Sequence, residues 1–550
     1  MSEPASGRST NPAWDRWAPW GFFALVLASG LAIWEVFPPG IWHDDGVYVL
    51  LGRSLAHGDG LRYVGIPGAP LAPKFPPLYP LFLSSIWILA PSFPENAGFL
   101  GGVNLLILSA AGGLLLAYLR RALDVPLPLA ALVSFLTMIS PPLWRVAMVP
   151  LSEPLFILIL VLALWAGARM EERKGWVEVV LFLVVGGLAY HTRSVGVAVL
   201  LGGVGALFIR RRIRAASGAF LGTVVLVLPW ILWSRWAARA LPDSLRDILG
   251  PYGGWLLGEM LRDPLAYARY VLENGGHLLA RVLSLLLPGV VGLPLWLGLV
   301  LVPVLILGLL EAGRKSLTLP LAFLFSLGLL LIWPFQDIRL LVPFHPILIL
   351  GVVLGFRRLL GPGGRLPRGR IPIGVVAVGW ALLLVSVSVF RLATGWPGEA
   401  YRVRSDVLAM AAQAVEDKTP PEAVVGAPEL WPGIQLFTGR TVVPSARFVP
   451  LAGEEPTWGS PRAQFELWIQ AGVTHILVEH GGRVHGDALE RLAEICPPGT
   501  VQILDRQVGH VLVALNWDAD CRARSLEDGP GDPADPTPAA EVAAGSFPPE

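Results

Sequence analysis

The sequence places two adjacent carboxylates, Asp44 and Asp45, in the run Gly40-Ile41-Trp42-His43-Asp44-Asp45-Gly46, directly after an apolar stretch. A carboxylate pair in that position can hold a general base for proton transfer. The competing reading is a solvated turn that only stops the preceding helix. Other ionisable residues favour chemistry: Lys74 in Lys74-Phe75-Pro76-Pro77-Leu78-Tyr79, Arg145, Glu153 in Ser152-Glu153-Pro154, His191, Arg193, Asp337, Arg339 and His345. All but Lys74 fall at the edge of an apolar stretch or just inside one. Such groups cost about 3 kcal/mol each on insertion scales, so they face one another or a wet cavity. Arg145 and Arg339 also have a bland alternative, reaching the interface along their own stems. Helix capping is the alternative for Glu153, and a solvated interfacial position for Lys74.

The elements that must hold these residues are set by composition. Of 550 residues, 54% are hydrophobic and 15% charged, and the mean hydropathy is +0.60. Those values lie outside the range of soluble globular proteins and indicate a membrane protein. The net charge of +1, from 42 basic and 41 acidic residues, leaves no excess to hold a nucleic acid. The two cysteines, Cys496 and Cys521, exclude a cysteine metal cluster and allow one disulfide.

A helix needs roughly 20 apolar residues to cross about 30 Å of hydrocarbon. Stretches near that length occur at 20–37, 97–119, 128–146, 152–168, 176–190, 195–209, 216–234, 293–310, 317–334, 339–356 and 372–391. They predict a polytopic α-helical protein of about eleven transmembrane helices, the first retained rather than cleaved. Basic residues gather in alternate loops: Arg120 and Arg121; Arg169, Arg173 and Lys174; Arg210, Arg211, Arg212 and Arg214; Arg314 and Lys315; Arg357, Arg358, Arg365, Arg368 and Arg370. By the positive-inside rule these loops and the N-terminal segment, 1–19, are cytoplasmic. The first outer loop, 38–96, the chemistry-bearing ends of the spans and the C-terminal region then lie outside.

In that loop, Val47–Ala56 and Leu78–Leu89 read as short helices lying along the interface. The membrane domain is expected over 20–395. A small extracytoplasmic α/β domain is expected over 396–525, with a helix near Asp406–Glu416 and strands at Ala423–Val425, His475–Val478, Val501–Leu504 and His510–Leu515. The Pro-, Gly- and Ala-rich tail, 526–550, is expected to be disordered.

Several of these motifs occur together and in order: the acidic pair after a retained span, Lys-X-Pro-Pro-Leu-Tyr, Ser152-Glu153-Pro154-Leu155-Phe156, His191-Thr192-Arg193-Ser194 and Arg339-Leu340-Leu341-Val342-Pro343-Phe344-His345-Pro346. Residues 14–395 thereby resemble the GT-C glycosyltransferases, most closely the branch of the protein O-mannosyltransferases and the lipid A aminoarabinose transferase. The resemblance implies a polyprenyl-phosphate-linked sugar as donor and a site in the first outer loop, with Asp44 as base. Arg339 corresponds to the arginine opening a late Arg-aromatic-Leu-Leu-Pro motif, although Leu340 replaces the aromatic. Asp45 stands where many relatives carry Glu, and Thr192-Arg193-Ser194 departs from a Thr-Arg-Pro pattern.

The expected function is therefore transfer of a sugar to an extracytoplasmic acceptor on a lipid, glycan or protein, in a bacterial inner membrane. Positive charge would develop on the sugar and negative charge on the departing phosphate. Arg339, Arg193 and Lys74 are the candidate phosphate ligands. Glu153, His191 and His43 are candidates for a metal or the acceptor, and a divalent ion between Asp45, Glu153 and His191 is one possible cofactor. A transporter or flippase, and a polysaccharide polymerase or ligase, are the alternative functions.

Overall fold

The computed structural model describes residues 12–287, 298–333, 337–361, 371–445, 461–479, 485–507 and 509–527. The tail from 528 and part of the basic loop before 371 lie outside these residues.

Each of the eleven apolar stretches contains a helix among the described residues. Six are long and apolar enough to cross a membrane, and the bent pair Leu127–Met138 and Pro141–Ala147, angled by 59°, makes a seventh. The chain is an integral membrane protein, and of the expected eleven spans six or seven reach full length among the described residues. The other apolar helices are short: Trp176–Thr192, Ser194–Ile209, Leu301–Gly313 and Thr318–Leu331 have 10–17 residues. Local sequence explains several of the breaks. The first helix, Pro12–Ile33, stops ahead of Pro38 and Pro39. The stretch expected at 339–356 opens as two single 3-10 turns, Ile338–Leu340 and Val342–Phe344, before the α-helix His345–Leu360. Pro343 and Pro346 lack the N–H that would continue a helix from upstream, which leaves Arg339 on an irregular segment at the end of the bundle.

That segment is held by close helix packing. A Cβ added at Gly308, on Leu301–Gly313, would lie 1.7 Å from the Gly351 carbonyl oxygen, and one at Gly355 would lie 2.0 Å from that of Val304. Small residues four apart let the two backbones approach, as in membrane helix pairs generally.

The first-loop helix, found at His43–Ala56, differs from the expected interfacial helix. Val47, Tyr48, Val49, Leu50, Leu51, Gly52 and Ser54 are all buried. It is covered by the helix Leu78–Leu89 and by a helix from the C-terminal region, Trp431–Thr438. Gly40, at φ +100°, takes a conformation that side chains rarely adopt, and a Cβ there would meet the Gly433 Cα at 2.3 Å.

From Trp396 the chain forms a long helix, Trp396–Lys418, and a five-stranded sheet. The strands are β1 (Val424–Ala427), β2 (Thr441–Pro444), β3 (His475–Glu479), β4 (Val501–Gln507) and β5 (His510–Leu515), in the order β2-β1-β3-β5-β4. β2, β1 and β3 are parallel, and β5 and β4 are antiparallel to their neighbours. β2 was not expected from the sequence: its four residues lie next to a glycine-containing turn and carry no alternation. Cys496 and Cys521 form a disulfide with 5.1 Å between their Cα atoms.

Candidate active site

The turn Gly40–Trp42 leads into the helix His43–Ala56, whose third residue is Asp45. Its carboxylate folds back and accepts N–H groups from Gly40 (2.8 Å) and Trp42 (2.9 Å). These are donors that a helix start leaves unpaired. Burial pushes the Asp45 carboxyl up to about 7, against the opposing pull of the Gly40, Gly46 and Trp42 amides. Asp45 is fully buried and spent on the turn. Of the two carboxylates named as catalytic candidates, Asp45 holds the loop and Asp44 carries the open carboxylate.

Asp44 is 24% exposed and forms an ion pair with Arg339 Nη2. Burial raises its pKa, but Arg339, His43 and Lys74 outweigh that and keep it below the ordinary carboxylate range. Arg339 also approaches Glu153, with Nε 3.1 Å from Oε1, and Asp337 at 3.7 Å. On the other side of Glu153, Arg193 Nη1 lies 2.8 Å from the same Oε1. Glu153 is completely buried, so one carboxylate holds two guanidinium groups together. Neither aims an N–H at it in hydrogen-bond geometry, and its Oε2 has no partner. Arg193 donates instead to Ser152 Oγ (2.9 Å), which is also 3.1 Å from the Tyr48 hydroxyl.

Lys74 Nζ donates to the carbonyl of Ile248 at 2.9 Å. Burial pushes its pKa down to about 8, with Asp44 opposing. The proline pair that follows it and the helix Leu78–Leu89 fix where it enters. His43 Nε2 accepts the indole N–H of Trp431 at 3.1 Å. Indole nitrogen only donates, so neutral His43 carries its proton on Nδ1, which faces Asp44 Oδ1 at 3.7 Å. Burial lowers the His43 pKa and favours the neutral form, although Asp44 opposes it.

The structure thus gathers Asp44, His43, Lys74, Glu153, Arg193 and Arg339 from five separate segments. His191 stays outside this network, its ring against Tyr190 and its buried Nδ1 unpartnered. The metal set Asp45, Glu153 and His191 is not brought together. Among the described residues no three His, Cys, Asp or Glu side chains lie where they could hold a metal ion. Asp45 accepts amides and Glu153 faces two arginines, so these donors do not fit a divalent cation. Arg145 lies apart from the carboxylates, against Trp42, Tyr401 and Trp396. Sequence reading missed Tyr48, Ser152 as an arginine ligand, and Trp431. Ser152 carried a signal, standing beside Glu153; Trp431 lies 388 positions from His43 and carried none.

A mixed cluster of carboxylate and cations at the end of an apolar bundle can bind an anionic headgroup and take up a proton beside it. No protein-family model matches the sequence, and no curated protein matches it. Solved structures do share the fold. The crystal structure of ArnT from Cupriavidus metallidurans bound to undecaprenyl phosphate matches with a TM-score of 0.53 and 13% identity, covering 92% of this chain and 98% of that one. The same protein in the apo state matches with a TM-score of 0.53 and 14% identity, over 91% and 98%. The likeness is one of fold, over nearly the whole length of both chains, and it meets the expected resemblance to GT-C membrane proteins at that level.

Proposed function

We propose that this chain is a membrane glycosyltransferase that moves a sugar from a polyprenyl-phosphate carrier to an acceptor at the extracytoplasmic surface. The observation that carries the reading is the placement of Arg339 against Asp44, with Lys74 and Arg193 nearby, at one end of the helical bundle. The fold of a protein crystallised with undecaprenyl phosphate supports the same ligand class here. The orientation rests on the basic loops, with the N-terminus cytoplasmic and the sheet outside.

In this mechanism the lipid tail lies among the apolar helices and the phosphate meets Arg339, with Lys74 and Arg193 adding positive charge. As the sugar–phosphate bond breaks, these fixed cations stabilise the phosphate that departs. Asp44, released from Arg339 by the incoming anion, accepts the proton of the attacking acceptor group. Attack on the face opposite the phosphate inverts the anomeric carbon. Glu153 does not contact the sugar; it keeps the two arginines side by side against their mutual repulsion. The region from 396 covers the loop that carries Asp44.

The test is to incubate the purified full chain in lipid nanodiscs with a panel of polyprenyl-phosphate sugars and envelope acceptors, reading products by mass. A single sugar added to an acceptor supports the proposal. Movement of intact lipid-linked sugar across the bilayer without bond cleavage would replace it with a flippase, and transfer of whole glycan blocks with a polymerase or ligase.

A further inference from the structure

Next to the carboxylate site, on the far side of Trp42, five side chains stack in alternation. The Arg391 guanidinium lies 4.6 Å from the Trp396 ring, and Arg145 lies 5.4 Å from Trp396 and 5.6 Å from Trp42. Arg404 closes the ladder at 4.0 Å from Trp42. The rungs come from distant segments: the end of the helix Ile371–Ala393, the start and first turns of Trp396–Lys418, the short helix Pro141–Ala147 and the turn before Asp44. Tyr401 ties them together, its hydroxyl donating to the Arg145 carbonyl at 2.7 Å and its ring standing edge-on to Trp42.

Stacking satisfies the faces of the guanidinium groups and leaves their edges. Among the described residues no carboxylate lies within ion-pair reach of Arg145, Arg391 or Arg404, and Arg145 and Arg391 donate no side-chain hydrogen bond; Arg404 donates one, to the Ile41 carbonyl. All three arginines and both indoles are half-buried, so a ligand can reach them. Each guanidinium offers five N–H donors in a planar fork that matches phosphate oxygens. A ladder that only pinned the C-terminal region to the bundle would need the stacked faces and not the free edges, so arginines paired with carboxylates would serve equally. Three guanidiniums in one stack without a carboxylate in ion-pair reach, two residues from Asp44 through Trp42, are instead arranged for an anion.

We propose that this ladder is a second anion site, which holds a phosphate-class group of the acceptor while the acceptor's nucleophile reaches Asp44. The proposal rests on the glycosyltransferase reading for the word acceptor; the anion site itself does not. It divides the labour between two clusters: Arg339, Lys74 and Arg193 for the donor phosphate, and Arg145, Arg391 and Arg404 for a negatively charged acceptor at headgroup depth.

The experiment is native mass spectrometry of the full chain in detergent, titrated with short-chain phosphatidate, with phosphatidylcholine as the uncharged control and with undecaprenyl phosphate present in excess. One phosphatidate adduct should persist beside undecaprenyl phosphate. Its affinity should fall about 10- to 100-fold in Arg145→Gln and in Arg404→Gln, the loss expected of a charge-assisted hydrogen bond, and should be unchanged in Arg339→Ala. Inorganic phosphate that competes at equal concentration assigns the site to a free anion; phosphatidate binding without such competition assigns it to a lipid-borne one, and either supports the anion site. Equal phosphatidate affinity in wild type and both glutamine variants would overturn it. If Arg145→Gln does not fold, Arg391→Gln at the end of the ladder and Arg145→Lys, which keeps charge but loses the planar fork, carry the same comparison. Failure of undecaprenyl phosphate to bind, with phosphatidate binding intact and ladder-dependent, would remove the donor assignment and leave the anion site standing.

Discussion

Arg339 donates to the Asp44 carboxylate across 295 positions of sequence, joining the loop after the first helix to an irregular turn late in the bundle. In the proposed mechanism the pair sets two functions against each other: while Arg339 neutralises Asp44, the carboxylate is a weak base and the guanidinium a weakened phosphate ligand, and an incoming phosphate would relieve both at once.

Removing either partner should therefore separate binding from turnover. Asp44→Asn takes away the base and should lower single-turnover transfer about 10²- to 10⁴-fold. The same change leaves Arg339 unpaired, so undecaprenyl phosphate should bind at least as tightly as to wild type. Arg339→Ala should weaken that binding about 10- to 100-fold, as expected for loss of a charge-assisted contact. Full turnover by Asp44→Asn would rule out Asp44 as the base.

Glu153 should matter for stability more than for binding. With no exposure and an arginine on each side, its replacement by Gln leaves two largely buried guanidiniums close together. Removing one partner of a buried ion pair typically costs about 3–5 kcal/mol. Thermal unfolding in detergent should show Glu153→Gln melting well below wild type, and below Asp337→Asn, whose carboxylate is 45% exposed. A melting temperature equal to that of wild type would show that the arginines do not depend on it.

The disulfide is a third point of test. By loop-entropy arithmetic, closing the segment between Cys496 and Cys521 contributes about 3 kcal/mol. Alkylation should label these thiols only after reduction, and the paired change to serine should loosen the β4–β5 end of the sheet in hydrogen exchange. Labelling without reductant would show the thiols free.

The helices were legible because apolar runs announce themselves: every expected stretch, from 20–37 to 372–391, holds one. Their lengths were less so, since the 3-10 turns ahead of and around Pro343 depend on local backbone chemistry that average hydropathy blurs. Of the site, Asp44, Arg339, Arg193, Glu153 and Lys74 were readable as charges out of place in apolar surroundings. The part Asp45 plays in the turn was not readable, because adjacent residues of one type look alike until a turn sends them in opposite directions. The Arg–Trp ladder left little trace, because stacking partners such as Arg145 and Trp396 have no spacing rule across some 250 positions.

Glu479 links the sheet to the site and makes stability depend on pH. It ends β3, is buried, and accepts the backbone N–H groups of Glu429 (3.3 Å) and Leu430 (3.1 Å), immediately before Trp431, the donor to His43. Burial pushes its pKa from the ordinary 4.5 up to about 8, the amides and Arg404 opposing only in part. The folded protein therefore keeps a proton that the unfolded chain releases near 4.5. Its contribution to stability is complete below that value and is lost as pH rises towards 8, because the folded state must then either carry a buried charge or open. The melting temperature should fall between pH 5 and pH 8 and level off above. Glu479→Gln, which cannot ionise, should flatten that slope while keeping an oxygen to accept one amide. If the His43–Trp431 bond follows the sheet, wild-type activity should decline over the same range and the Gln variant's should decline less. A slope identical in both proteins would place the titration elsewhere.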